Sequence, residues 1–189
     1  LGIVGGGYIG LELGSVWLRL GAKVTVIEML PTIATTLDGQ VGRKLQQVLK
    51  RQGIIFKMQA RVTDAKISGK SVKVNLETKK GNETLTCDPL LISVGRRPLT
   101  RGLGIEALGI QTSPDTGHLR VDSAYRTNIP SIYAIGDLIA GPMLAHKASA
   151  EGIAAVDCIA GKPGEVNYDA LPAVIYTWPE VASVGLTEE

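Results

Sequence analysis

Three glycines carry the first chemistry in this sequence. Gly5, Gly7 and Gly10 stand at G-x-G-x-x-G spacing, straight after the short apolar run Leu1-Gly2-Ile3-Val4. A helical pattern follows, in which Ile9, Leu13, Val16, Trp17 and Leu20 make one apolar face. A strand, a glycine turn and a helix in that order can seat a dinucleotide pyrophosphate. Gly5 permits the tight turn, Gly7 has no side chain to block the phosphates, and Gly10 lets the helix lie close to the strand. The N–H groups and partial positive charge of the helix start attract the anion.

The surroundings of the turn sharpen it. Lys23 to Glu28 reads as a second strand, with Gly21 as the stop of the helix before it. Glu28 closes that strand 18 positions after Gly10. A carboxylate there can accept hydrogen bonds from both hydroxyls of an adenosine ribose and would repel a 2′-phosphate. No Arg or Lys lies between Glu28 and Asp38 to bind such a phosphate, so the spacing predicts NAD rather than NADP.

Other positions could serve a ligand and each has a plainer reading. Glu12 is either an acid near the nicotinamide end of the cofactor or a solvated first-turn acid that suits the helix dipole. Gly95 ends an apolar run, where a flat ring could approach the backbone, or it simply turns the chain before Arg96-Arg97-Pro98. Asp137 follows Ile135-Gly136 at a predicted strand end and could accept bonds from ligand hydroxyls, or be an acid in a turn. Residues 142 to 146 start a helix whose N–H groups could hold an electron-rich ring edge, or start it with no further role. His118 is expected to be solvated, and His146 to matter through its backbone. Neither has a nucleophile beside it that would make a triad. Cys87 and Cys158 are 71 positions apart, with no metal or C-x-x-C spacing, and read as small buried or half-buried side chains.

These residues need elements to hold them. Asp38 is a helix cap, and Val41, Leu45, Val48 and Leu49 give helical spacing up to Gly53. Ile54-Ile55-Phe56 is a third parallel strand, completing β-α-β-α-β, half of a doubly wound, Rossmann-like sheet. Residues 61–67, 71–76 and 83–87 alternate with period 2 around turns at 68–70 and 80–82, which predicts an antiparallel meander as the crossover. Residues 89–94 form a continuous apolar run, expected as a buried strand that returns to the parallel sheet. Residues 99–126 read as loops, 127–137 as a second buried strand, and 144–160 as a helix with Ala148, Ile153, Val156 and Ile159 on its apolar face. Two short strands, 173–176 and 181–184, flank the Trp178-Pro179 turn.

Composition excludes some partners. The chain has 189 residues, 44% hydrophobic and 20% charged, with net charge +2. So balanced a charge argues against nucleic acid or an anionic membrane as partner, and no apolar stretch reaches the ~18 residues of a membrane span. The sequence opens inside a strand, which leads to the expectation that it is an interior part of a longer protein.

The chain resembles the flavin-dependent pyridine nucleotide–disulfide oxidoreductases. The resemblance rests on residues 5–17, 94–98, 132–137, 140–148 and 179–185 and covers essentially the whole chain. Within the family it looks most like the members that oxidise dihydrolipoamide in 2-oxoacid dehydrogenase complexes. Its Gly-Pro-Met-Leu-Ala-His-Lys-Ala and Leu-Gly-Ser-Val-Trp stretches are specific to them. The resemblance implies FAD and NAD as cofactors. Gly5, Gly6, Gly7, Tyr8, Ile9, Gly10, Leu11 and Glu12 would wrap the NAD pyrophosphate, and Glu28 the adenine ribose. Val62 would line the adenine pocket and Gly95 approach the nicotinamide. Asp137 would bind the ribityl chain of FAD, and Met143, Leu144, Ala145 and His146 would offer N–H groups to the flavin pyrimidine edge. Tyr8 would gate the flavin face, and Glu12 would pair with a lysine absent from this sequence. It further implies residues 1–97 as an NAD-binding domain, 98–167 as the C-terminal part of an FAD-binding domain and 168–189 as the start of an α+β interface domain. A lipoyl domain as substrate carrier, a homodimer, and a cytoplasmic or mitochondrial-matrix setting follow from the same resemblance.

The departures matter equally. The family's FAD fingerprint, its Cys-x4-Cys redox disulfide and its His–Glu base have no counterpart in these 189 residues, so no catalytic residue is assigned and the chain alone is expected to be inactive. Trp178 stands where the family usually has a histidine before Pro179. The alternatives are an NADPH-linked disulfide or mercuric reductase of the same family, which Glu28 argues against, and a nucleotide-binding module without redox chemistry.

Overall fold

The structure is a computed structural model and describes residues Leu1–Glu189. The chain divides into two compact units, one of Leu1–Gly95 with Pro172–Glu189 and one of Arg96–Leu171.

The first unit is built on a four-stranded parallel sheet of β1 (Gly2–Val4), β2 (Thr25–Glu28), β3 (Ile55–Met58) and β7 (Leu90–Ile92), in the order β3-β2-β1-β7. Helices α1 (Tyr8–Arg19) and α2 (Gly39–Gln52) make the crossovers. The predicted meander is present as β4 (Ala60–Ser68), β5 (Ser71–Thr78) and β6 (Gly81–Cys87), antiparallel, with a bulge between Val62 and Asp64. Its middle strand turns Val74 and Leu76 inward, where they pack with Ile27 and Ala60. Local signals placed the element ends correctly. The Asp38 carboxylate accepts from Gln40 N at 2.7 Å, and Gly21 and Gly53 leave their helices at positive φ. The hairpin of β8 (Ala173–Ile175) and β9 (Val181–Ser183) buries Ile175 in the same core as Ile3, Leu11, Val26 and Leu49.

Three expectations about this unit are corrected. The buried face of α1 is Gly10, Leu11, Gly14 and Ser15, whereas Leu13, Val16, Trp17 and Leu20 are exposed. Close approach decides this, because a Cβ on Gly10 would lie 2.3 Å from the Gly5 carbonyl oxygen and one on Gly14 would lie 3.0 Å from Ile3 Cδ1. The helix can sit against β1 only on its small residues. The apolar run after Pro89 does return to the parallel sheet, but at its edge, and Ile92 and Val94 are exposed. An edge strand has one neighbour, so its outer side lacks cover. Glu12 stands beyond the first turn of α1, half-buried rather than solvated, and its Oε1 accepts from Tyr176 N at 2.9 Å.

The second unit has little regular structure besides α3 (Ala145–Ile159) and short 3-10 turns at Gly136–Leu138 and Tyr168–Ala170. The strand expected within 127–137 is an extended segment with a single bridge, Arg126 to Tyr133. A strand needs a neighbour for its backbone ladder, and this segment finds only that one. Its core gathers Ile105, Leu119, Tyr125, Ala134 and Ile139 against Ala154 and Ala155 of α3. The apolar stripe of α3 is not the face that the helix buries here. Ile153, Val156 and Ile159 are exposed, and the helix buries Lys147, Glu151, Ala154 and Ala155 instead. Lys147 and Glu151 satisfy each other as an i,i+4 ion pair, which makes a charged face buriable. His118 is half-buried rather than solvated, with Nε2 shielded and without a hydrogen-bond partner. No helix is long and apolar enough to cross a membrane.

Candidate functional site

The predicted site residues fall into two groups, one in each unit. In the first, β1 ends at Val4 and the chain turns through Gly5, Gly6 and Gly7 into α1. The turn is pinned at every step. Gly5 N donates to Ile27 O at 2.9 Å, Gly6 N donates to Glu28 Oε2 at 2.6 Å, and Gly6 O accepts from Ala34 N at 2.9 Å. Gly5 has φ +107, and a Cβ there would lie 2.3 Å from Ser93 O. Around Gly7 there is nothing within 4 Å of a Cβ, so its face is open. Gly7 also caps α1 without any side-chain hydrogen bond to the helix start. The first N–H groups of the helix, whose acceptors must come from outside it, therefore open beside a space clear of side chains. This cradle fits a pyrophosphate: two glycines hold the backbone close, and the third leaves room.

Glu28 ends β2 half-buried, and its two oxygens already accept from Gly6 N and, at 2.8 Å, from Leu30 N. A carboxylate has about four lone-pair positions, so it retains capacity for ribose hydroxyls. Tyr8 and Ile9 are half-buried and Leu11 fully buried, so Leu11 serves the core and not a ligand surface. Val62, on β4, is half-buried beside the bulge. Gly95, exposed at the end of the β7 segment, has φ +121 with open space around it, so its glycine is required by backbone conformation and not by crowding within the chain. Sequence reasoning missed Ser93. Its Oγ donates to Val4 O at 2.9 Å, tying β7 to the strand end that carries the turn. Its signal was the one polar residue inside the apolar run 90–94.

In the second unit, Gly136 (φ +67) opens the 3-10 turn that carries Asp137. The Asp137 carboxylate is 38% exposed and pairs with Arg96 at 2.7 Å. Met143 and Leu144 are half-buried, Ala145 and His146 exposed, at the start of α3, whose N-cap Leu144 gives no side-chain cap. Beneath the turn lies a network that sequence reasoning did not find. Gly136 N donates to Glu151 Oε2 at 2.7 Å, Lys147 Nζ donates to Gly136 O at 3.1 Å, and Tyr168 Oη donates to Glu151 Oε1 at 2.9 Å. The Tyr168 and Tyr125 hydroxyls are 3.4 Å apart. Although the residue is 47% exposed, desolvation of its hydroxyl, with the Tyr125 hydroxyl and the Glu151 carboxylate adding to it, holds the Tyr168 hydroxyl above the ordinary phenol range. A cavity of about 940 Å³ in the same unit is lined by His118, Arg120, Tyr125, Gly141 and Tyr168, apart from the predicted site residues.

Cys87 and Cys158 are both free and half-buried, and no cluster of His, Cys, Asp or Glu could hold a metal ion.

Known proteins resemble the chain over nearly its whole length. The family model for pyridine nucleotide-disulphide oxidoreductases matches residues 1–152. The chain is 51% identical over 189 residues to the mitochondrial dihydrolipoyl dehydrogenase of Schizosaccharomyces pombe, covering 99% of this chain and 37% of that protein. It is 47% identical to dihydrolipoyl dehydrogenase 3 of Pseudomonas putida, covering 99% of the chain and 40% of that protein. Among solved structures, the HOCl-induced flavoprotein disulfide reductase RclA of Escherichia coli superposes with a TM-score of 0.88 at 28% identity, over 99% of this chain and 42% of that one. The chain thus spans well under half the length of the relatives it matches. Because the family model matches residues 1–152 of the 189, the chain belongs to the pyridine nucleotide-disulphide oxidoreductase family.

Proposed function

We propose that the intact protein is a dihydrolipoyl dehydrogenase, oxidising dihydrolipoamide with FAD as carrier and NAD⁺ as final acceptor. The observation that carries this is Glu28, whose carboxylate faces the Gly5–Gly7 turn and accepts from Gly6 N. An acid there suits an unphosphorylated adenosine ribose and repels the 2′-phosphate of NADP. Identity of 51% and 47% to proteins of that name supports the specific member. When bound, FAD supplies the two-electron step between a dithiol and nicotinamide.

The residues of this chain hold the partners in place. The glycine turn and the start of α1 receive the pyrophosphate, Glu28 and Val62 flank the adenosine, and Gly95 leaves the nicotinamide face clear. Asp137 accepts from the ribityl hydroxyls, and the start of α3 at Met143–His146 meets the flavin pyrimidine edge. Residues 1–97 form the NAD-binding domain, 98–167 belong to an FAD-binding domain, and 168–189 begin an interface domain. The partners are a lipoyl domain of a 2-oxoacid dehydrogenase complex and a second subunit, in the mitochondrial matrix or bacterial cytoplasm.

Steady-state assay of the intact protein with lipoamide, glutathione and mercuric ion, each with NAD(H) and NADP(H), tests the assignment. Lipoamide turnover with NAD is expected. Turnover of glutathione or mercuric ion with NADPH, and none of lipoamide, would reassign the chain within its family. Glu28→Arg is expected to move cofactor preference toward NADP, and an unchanged preference would refute the role of Glu28.

A further inference from the structure

The turn that carries Asp137 rests on a buried ion pair. Lys147 and Glu151 are both 0% exposed and 3.0 Å apart. Desolvating two charges is costly, and replacing such a pair by apolar side chains is often neutral or stabilising. The same helix leaves Ile153, Val156 and Ile159 in solvent. Stability alone does not account for a helix that buries a charged pair.

The geometry supplies a different account. The pair grips both polar backbone groups of one residue: Gly136 N donates to Glu151 Oε2 at 2.7 Å, and Lys147 Nζ donates to Gly136 O at 3.1 Å. The ends of the pair are also satisfied, Lys147 by both carboxylate oxygens and Glu151 by the Tyr168 hydroxyl at 2.9 Å. The loop closes over the lysine, since a Cβ on Gly141 would lie 2.9 Å from Lys147 Cε. Ala148 lies under Gly136, 3.0 Å from where its Cβ would be. One residue is thereby held through both of its flanking peptides, and the next residue is Asp137.

We infer that Lys147 and Glu151 are positioning residues, a buried clamp on Gly136 that sets the direction of the Asp137 carboxylate toward the hydroxyls of a sugar-like chain. The inference rests on the proposed role of Asp137 toward FAD. Tyr168 trims the clamp by holding the second oxygen of Glu151. Backbone bonds to charged groups on both peptides that flank Gly136 resist rotation about that residue more strongly than neutral ones.

The test uses the intact holoprotein stripped of flavin and reconstituted with FAD, followed by flavin fluorescence and the visible spectrum. Lys147→Met with Glu151→Leu keeps the volume filled and removes the clamp. It is expected to stay folded and to lose about tenfold in FAD affinity, with NADH affinity unchanged. Asp137→Asn is the control arm. If it leaves FAD affinity intact, the proposed role of Asp137 fails. If it weakens FAD while the folded double variant binds as tightly as wild type, the clamp fails and the role of Asp137 stands. Combining all three changes should weaken FAD by less than the product of the separate effects, and a full product would also overturn the clamp. Should the double variant not fold, Glu151→Gln decides. It retains an acceptor for Gly136 N–H but no charge, and wild-type FAD affinity and flavin spectrum in it would overturn the inference.

Discussion

The two glycine turns of this chain are built by opposite means. At Gly5–Gly10 the backbone is placed by the absence of side chains. Gly10 lets α1 touch the Gly5 carbonyl, Gly5 clears Ser93, and small residues line the buried helix face. At Gly136 the backbone is placed by two of the largest and most polar side chains available, Lys147 and Glu151, both fully buried. A turn shaped by sterics should tolerate changes of charge nearby and reject a single added carbon. A turn shaped by charge should tolerate neutral replacement of both partners and reject the loss of one.

The largest effect expected from this contrast is Glu151→Leu alone, which strands a buried lysine and should cost about 3–5 kcal/mol. Adding Lys147→Met should recover most of that loss, as read by denaturant unfolding of the intact protein. A single variant as stable as the double would mean that the pair is not coupled.

Next in size is Gly10→Ala, whose methyl would lie 2.3 Å from Gly5 O. Overpacking of this kind should cost about 1–3 kcal/mol. Gly7→Ala meets open space and should cost no more than about 1 kcal/mol, through a poorer helix cap. Yet Gly7→Ala, with its methyl on the open face, should weaken NADH binding at least as much. Thermal unfolding beside calorimetric titration separates the two. Equal effects of both on stability would erase the distinction between a packing glycine and a ligand-facing one.

A smaller change is Glu28→Gln, which keeps the shape and removes the charge. Bonds from Gly6 N and Leu30 N to a charged acceptor become neutral ones. Roughly tenfold weaker NADH binding is expected, about 1.4 kcal/mol, with little effect on NADPH. Titration with both nucleotides checks this, and a parallel loss for both would show that Glu28 only supports the turn.

The smallest effects are in pH dependence. Tyr168 is about half exposed, yet its hydroxyl is held above the ordinary range, first by desolvation of the hydroxyl and then by Tyr125 and Glu151. Its contribution to stability is whole below pH about 10, where an unfolded tyrosine begins to ionise, and is lost as pH rises beyond that. Tyr168→Phe should therefore flatten the fall in unfolding midpoint between about pH 9 and 11. Asp38 has the opposite sign. Backbone N–H groups of Gln40 and Glu188 hold its carboxyl below the usual range, so its contribution is present above pH about 4 and fades as pH falls through the lowered value.

Much of the first unit is legible in the sequence. The G-x-G-x-x-G turn, the acid at the end of β2, the Asp38 cap, the glycine helix stops and the meander all depend on local rules: which residues reach positive φ, which cap a helix, which alternate along a strand. The sequence by itself determined those features. It did not determine which side of α1 or α3 is buried. Both helices carry a plausible apolar stripe, and both bury another face, because burial depends on how closely the neighbour must approach and on whether buried charges find partners. It did not show that residues 127–137 lack a sheet neighbour, or that residues 90–94 lie at an edge, since a strand is completed by a partner elsewhere in the chain. Nor could it bring Lys147, Glu151, Tyr168 and Tyr125 to one glycine. Local conformation is written residue by residue, whereas packing and buried charge are properties of pairs, and only the tertiary structure decides which pairs exist.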